Sequence, residues 1–163
     1  MMRALAVLSV LSCFLVAAFG EKAFSSEHSF MAHDAWAPPS LDGATVATGF
    51  STLMNHSDHA IEIASLSSEI AATVELHDHV MEDGKMRMRR VSPIVIAAQE
   101  SIVMKPGGYH LMLIDLKQPL KDGEKFTVQI GLKDGQTTSV DFVVSQARLL
   151  EALKSRTHSA HEH

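Results

Sequence analysis

Between Thr45 and Val144 apolar and polar residues alternate over short stretches broken by turn residues, and this period of two predicts strands rather than helices. The expected strands are Thr45 to Leu53, Ala60 to Leu66, the two arms around Asp83-Gly84, Pro93 to Ala98, Ser101 to Met104, the segment carrying His110, Lys125 to Leu132 and Thr137 to Val144. Asp83-Gly84 and Asp134-Gly135 are two-residue hairpin signals, and Pro106-Gly107-Gly108 is a further break. Many short strands with close turns indicate an all-β domain, an antiparallel β-sandwich or barrel. The pattern changes after Val144. Leu149, Leu150 and Leu153 recur at helical spacing, which predicts a short C-terminal helix from Gln146 to Lys154, with residues 146–163 forming a helix and His-rich tail. Asn55-His56-Ser57 matches a glycosylation sequon but reads as a turn flanked by the polar His56 and His59, and Trp36 reads as a packing residue at the entrance of the domain.

If Asp83-Gly84 is the turn, the hairpin register follows: Glu82 faces Lys85, Met81 faces Met86, His79 faces Met88 and His77 faces Arg90. Alternation then places His77, His79, Met81, Met86 and Met88 on one side of the ribbon. His110 and Met112, two residues apart, share a strand face in the same way. A lone Met on a strand is ordinarily core filler and a lone His is ordinarily just hydrogen-bonded. Here the mixture recurs in two segments. Neutral imidazole with soft, neutral thioether is a ligand set for Cu(I), whereas zinc would recruit Cys, His or carboxylate.

The N-terminus lies outside this pattern. A basic start through Arg3, an apolar run from Ala4 to Phe19 and the small residues around Gly20 predict a signal peptide over residues 1–20, cleaved after Gly20, with no stable membrane insertion afterwards. Cys13 in V-L-S-C is a faint lipoprotein box, set against by the apolar run continuing past it. It is the chain's one cysteine, so an exported domain has no disulfide and no thiolate ligand. Losing Arg3 with that segment takes the formal charge from -5 to -6, and an acidic chain without a basic stripe excludes nucleic acid as a partner. Residues 21–34 read as a flexible lead whose His28, Met31 and His33 are auxiliary ligand candidates.

His77, ten residues, Met88, twenty-one residues, His110, one residue, Met112: this spacing resembles the H-x10-M-x21-H-x-M signature of the PCu(A)C family of periplasmic copper chaperones. The similarity extends through V-E-L-H, D-G-K-M-R-M and K-P-G-G-Y-H-L-M-L-I-D-L-K-Q-P-L-K-D-G, and covers a domain at residues 35–145. The resemblance implies a cupredoxin-like β-sandwich with a Cu(I) site of His77, Met88, His110 and Met112. It also implies a non-enzymatic role in the periplasm: copper delivery to the CuA centre of cytochrome c oxidase subunit II, sometimes alongside a Sco-type thiol protein. His79, Met81 and Met86 fall outside the signature and stand as supporting or structural candidates. The tail histidines His158, His161 and His163 are candidates for a separate Cu(II) site. Against the carrier stand two other classes, a copper-dependent redox enzyme and a secreted structural sandwich without metal.

Overall fold

The computed structural model describes residues 29–159, and these form ten strands followed by one helix. The strands are β1 (Phe30–Ala37), β2 (Val46–Asn55), β3 (Ile61–Ser67), β4 (Ala71–Glu82), β5 (Lys85–Arg90), β6 (Ile94–Ile96), β7 (Ser101–Val103), β8 (His110–Leu116), β9 (Lys125–Leu132) and β10 (Thr137–Val144), and the helix is α1 (Gln146–Ser159). Hydrogen bonding runs in the order β5-β4-β8-β2-β1-β10-β9-β3-β6, with β7 also on β2. The expected all-β sandwich is what this order builds. Strand β2 belongs to both layers: Val46 to Gly49 pair with β8, and Thr52 to Met54 pair with β7 and with β1. Gly49 lies at that crossing, where an added Cβ would come within 3.1 Å of the Phe142 ring.

The core between the layers is filled from both sides, by Leu76, Leu111 and Leu113 from one and by Leu53, Val128, Ile130 and Phe142 from the other. Burying such side chains is worth about 1.5–3 kcal/mol each, which is what holds the two layers face to face. Trp36 packs as expected, its ring 4.9 Å from that of Phe50. Asn55 is buried and ties the turn after β2 to β6: its amide donates to the carbonyls of His59, Ile96 and Ala97, and its carbonyl oxygen accepts from Ser57. That arrangement makes the sequon a structural turn, its side chain already committed.

Two expectations need correction. Strand β1 already begins at Phe30, within the span expected as a lead over residues 21–34, and pairs through His33 with β2. A register shift between His33 and Trp36, with Asp34 at φ 55°, interrupts the alternation and hides the strand from periodicity. One strand pair, β1 with β10, is parallel within an otherwise antiparallel arrangement. Of the three leucines that set the helical spacing of α1, only Leu149 faces the core, together with Ala152, whereas Leu150 and Leu153 are exposed. Ser145 caps the helix through the amide of Arg148, and the Arg148 guanidinium lies over Trp36.

The segment 1–20 with Cys13, His28, the side chain of His158, and His161 and His163 lie outside the described residues. Among those described, no helix is long and apolar enough to cross a membrane.

Candidate metal centre

The hairpin of β4 and β5 closes on Asp83 and Gly84, both at positive φ (51° and 71°), the geometry that a two-residue turn of this kind demands. Its register is the expected one, pairing His77 with Arg90, His79 with Met88 and Met81 with Met86. On the other side of β4, Glu75 pairs with Met112 and His77 with His110. Directly opposed residues share a face, so His77, His79, Met88, His110 and Met112 all project from one side of the β5-β4-β8 sheet. Glu82 on the opposite side binds Arg89 and Arg87, clasping the hairpin without using the His and Met face.

The two histidines of the signature are held in complementary ways. His110 is 1% exposed and its Nδ1 lies 2.9 Å from the carbonyl oxygen of Gly108, which can accept only if that nitrogen carries the proton. The Nε2 of His77 lies 2.8 Å from the Glu75 carboxylate, and Glu75 is fixed in turn by Arg90 at 3.1 Å. In each ring the other nitrogen, Nδ1 of His77 and Nε2 of His110, is buried and has no hydrogen-bond partner. With the proton placed on the bonded nitrogen, the orphan carries a lone pair. The ring centroids are 6.0 Å apart. An orphaned acceptor in the interior costs about 1–3 kcal/mol, and two side by side are an arrangement that a cation between them would satisfy.

Burial holds the His110 imidazole below the ordinary histidine range, and the neighbouring His79 and His77 rings act in the same direction, while the Gly108 carbonyl and Asp78 oppose them. The ring therefore keeps its lone pair into mildly acidic solution. The His79 ring lies tilted against that of His110, with centroids 4.9 Å apart, and its Nδ1 reaches toward the same Gly108 oxygen at 3.4 Å.

Register alone leaves Met88 and Met112 out of step, opposite His79 and Glu75 on β4, which is about 13 Å apart along an extended strand. Their long side chains compensate. Both line one cleft of about 350 Å³ with Pro38, Ser40, Leu41 and Thr48 from the β1–β2 side, although His77 and His110 are not among its walls. Met88 is 44% exposed, so the thioethers stand on the solvent side and His110 within. Met81 and Met86 are paired at the hairpin tip and more exposed still.

Glu75 and Gly108 are functional candidates that motif spacing missed. Glu75 lies two residues before His77, on its face, which is the one signal that could have revealed it. The remaining histidines sit elsewhere. His56 and His59 are exposed at the turn after β2, where His59 bonds Asp58 and holds that carboxyl below its usual range, and His33 lies on β1. Among the described residues no group of three or more His, Cys, Asp or Glu could hold a metal ion.

The LpqE-like family model matches residues 30–144. Protein Lxx21020 of Leifsonia xyli, a lipoprotein by name, is 32% identical over 107 residues, covering 65% of this chain and 63% of its own. The uncharacterised RP573 of Rickettsia prowazekii is 25% identical over 114 residues, covering 68% of this chain, and again the match spans 63% of the relative's length. Among solved structures, the copper-bound PCuAC domain from PmoF2 aligns with a TM-score of 0.61 at 19% identity, over 72% of this chain and 92% of that one. The solution structure of CuI-DR1885 from Deinococcus radiodurans aligns with a TM-score of 0.57 at 24% identity, over 76% and 84%. At such identities the structural likeness establishes the cupredoxin-like fold, and the match over residues 30–144 establishes the family: the chain belongs to the LpqE-like family, which is the PCu(A)C family.

Proposed function

We propose that this protein is a Cu(I) carrier that holds the ion between His77 Nδ1, His110 Nε2 and the thioethers of Met88 and Met112, and releases it by ligand exchange. The observation that carries this reading is the pair of buried, partnerless imidazole nitrogens, each on a ring whose other nitrogen is anchored to an oxygen. Anchoring fixes tautomer and ring orientation before the ion arrives. Four neutral ligands leave the complex with the ion's own charge, a soft set that favours Cu(I) and penalises Cu(II). The same imbalance argues against a redox enzyme, which has to accommodate both states. Copper-bound relatives of the same fold support the reading.

Exchange follows from the layering. The exposed Met88 is the ligand that a partner meets first, and thioethers are weak enough to be replaced singly while the inner imidazoles keep hold of the ion. The acceptor in this proposal is the CuA centre of cytochrome c oxidase subunit II, with a Sco-type thiol protein as a companion, and the setting is the periplasm, reached through the signal at residues 1–20. The His-rich tail takes Cu(II) separately, through imidazole alone.

Met112→Leu tests the thioether contribution. Such volume-conserving swaps cost less than about 1.5 kcal/mol of stability. Cu(I) affinity, measured against a competing chelator, is expected to fall by about tenfold or more, at least the cost of altering an outer-shell partner. Unchanged Cu(I) retention, or a protein that no longer folds, would make Met112 a packing residue.

A further inference from the structure

A second group of soft ligands lies on a different part of the sandwich. On β1 and β2 the register pairs Met31 with Met54 and His33 with Thr52, which puts Met31, His33 and Met54 on one face. Met31 is 47% exposed and the His33 side chain 48%, so neither is core filler. The Nε2 of His33 lies 3.0 Å from the Met54 sulfur. Its Nδ1 lies 3.3 Å from the carboxylate of Asp34, which faces the Arg148 guanidinium at 3.7 Å and takes a hydrogen bond from it at its backbone oxygen.

These contacts conflict for an ordinary neutral histidine. Imidazole has one N–H, and a carboxylate, which only accepts, takes it at Nδ1. With the proton on Nδ1, the Nε2 lone pair faces the Met54 sulfur, a contact that a soft cation between the two would turn from repulsion into coordination. The backbone is irregular beside this contact. Asp34 adopts φ 55° at the register shift after His33, and such irregularities re-aim neighbouring side chains. The oxygen partner behind the ring repeats the device seen at His77, where a carboxylate fixes one nitrogen and frees the other. The group is also distant from that site: Met54 is six positions along β2 from Thr48, the partner of Met112, a separation of up to about 20 Å.

We infer that Met31, His33 and Met54 form a second, surface site for a monovalent soft cation of the Cu(I) and Ag(I) class, filled independently of His77 and His110. It has three ligands and an open side facing solvent, which makes it the weaker and faster-exchanging of the two.

Ag(I) titration of protein carrying 13C-methyl methionine tests this by NMR, because each thioether methyl reports its own sulfur. The Met31 and Met54 methyls are expected to shift together and saturate, and to do so equally in a Met88→Leu/Met112→Leu variant. His33→Gln is expected to weaken that response by about tenfold or more, as loss of an imidazole ligand should, while Met88 and Met112 respond as before and report an intact fold. If Met31 and Met54 respond while Met88 and Met112 do not, the second site stands and the proposed carrier site falls. If Met31 and Met54 stay unmoved, or move no more readily than the exposed Met81 and Met86 pair, or are indifferent to His33→Gln, the inference is overturned.

Discussion

Replacing His110 by Leu is expected to lower Cu(I) affinity by more than about a hundredfold while leaving the metal-free protein at least as stable as before. The first half follows from removing an inner imidazole ligand, since changing merely an outer-shell partner already costs about 10- to 100-fold. The second half follows from burial. His110 is 1% exposed with Nε2 unpartnered, and a buried unsatisfied group costs about 1–3 kcal/mol, against about 0.5–1.5 kcal/mol for the lost bond to Gly108. Chelator competition and thermal unfolding of the metal-free variant read the two halves separately. A residue kept for packing would give the opposite pattern, with stability lost and copper retained.

Acid is expected to release the ion, with a steepness that counts imidazoles. Copper and protons compete for the same ring nitrogens, whereas thioethers do not titrate in the accessible range. Histidine at its unperturbed value of about 6.5 begins to compete below roughly pH 6. Because burial holds His110 lower, its proton is taken up only in more acidic solution. The loss of affinity should therefore start gently and steepen toward two protons per copper, about a hundredfold per pH unit at the limit. The metal-free protein has its own signature. A histidine whose folded value is depressed binds its proton first in the unfolded chain, so stability is unaffected above about pH 6.5 and falls as the pH drops below it, until His110 itself protonates. His110→Leu should remove that contribution to the acid slope. An affinity curve that stays flat to about pH 4, far below the unperturbed value, would replace the imidazoles with an all-sulfur site drawn from Met81, Met86, Met88 and Met112.

The sequence displayed the hairpin more fully than the first strand. Asp83-Gly84 sets a two-residue turn, and with the turn fixed every pairing from Glu82–Lys85 to His77–Arg90 follows without tertiary information. Strands β9 and β10 were equally legible because their alternation is uninterrupted on both sides of Asp134-Gly135. Strand β1 was not, since the irregularity after His33 breaks the period and the parallel pairing with β10 joins opposite ends of the domain. Nor does helical spacing reveal which side of α1 faces inward, where Leu149 and Ala152 pack against the core and Arg148 lies over Trp36. At the candidate site, the family resemblance implied four residues, and the strand pairings place them on one face. The oxygens behind the rings, on Glu75 and Gly108, depend on side-chain reach and loop geometry that no periodicity encodes.

X-ray absorption of the protein loaded with one equivalent of Cu(I) tests the central claim most directly, because it counts nitrogen and sulfur neighbours of the ion. The proposed site requires two imidazole nitrogens and two thioether sulfurs, with one sulfur lost in Met112→Leu and one nitrogen lost in His110→Leu. A shell of sulfur alone, or of nitrogen and oxygen without sulfur, would contradict it.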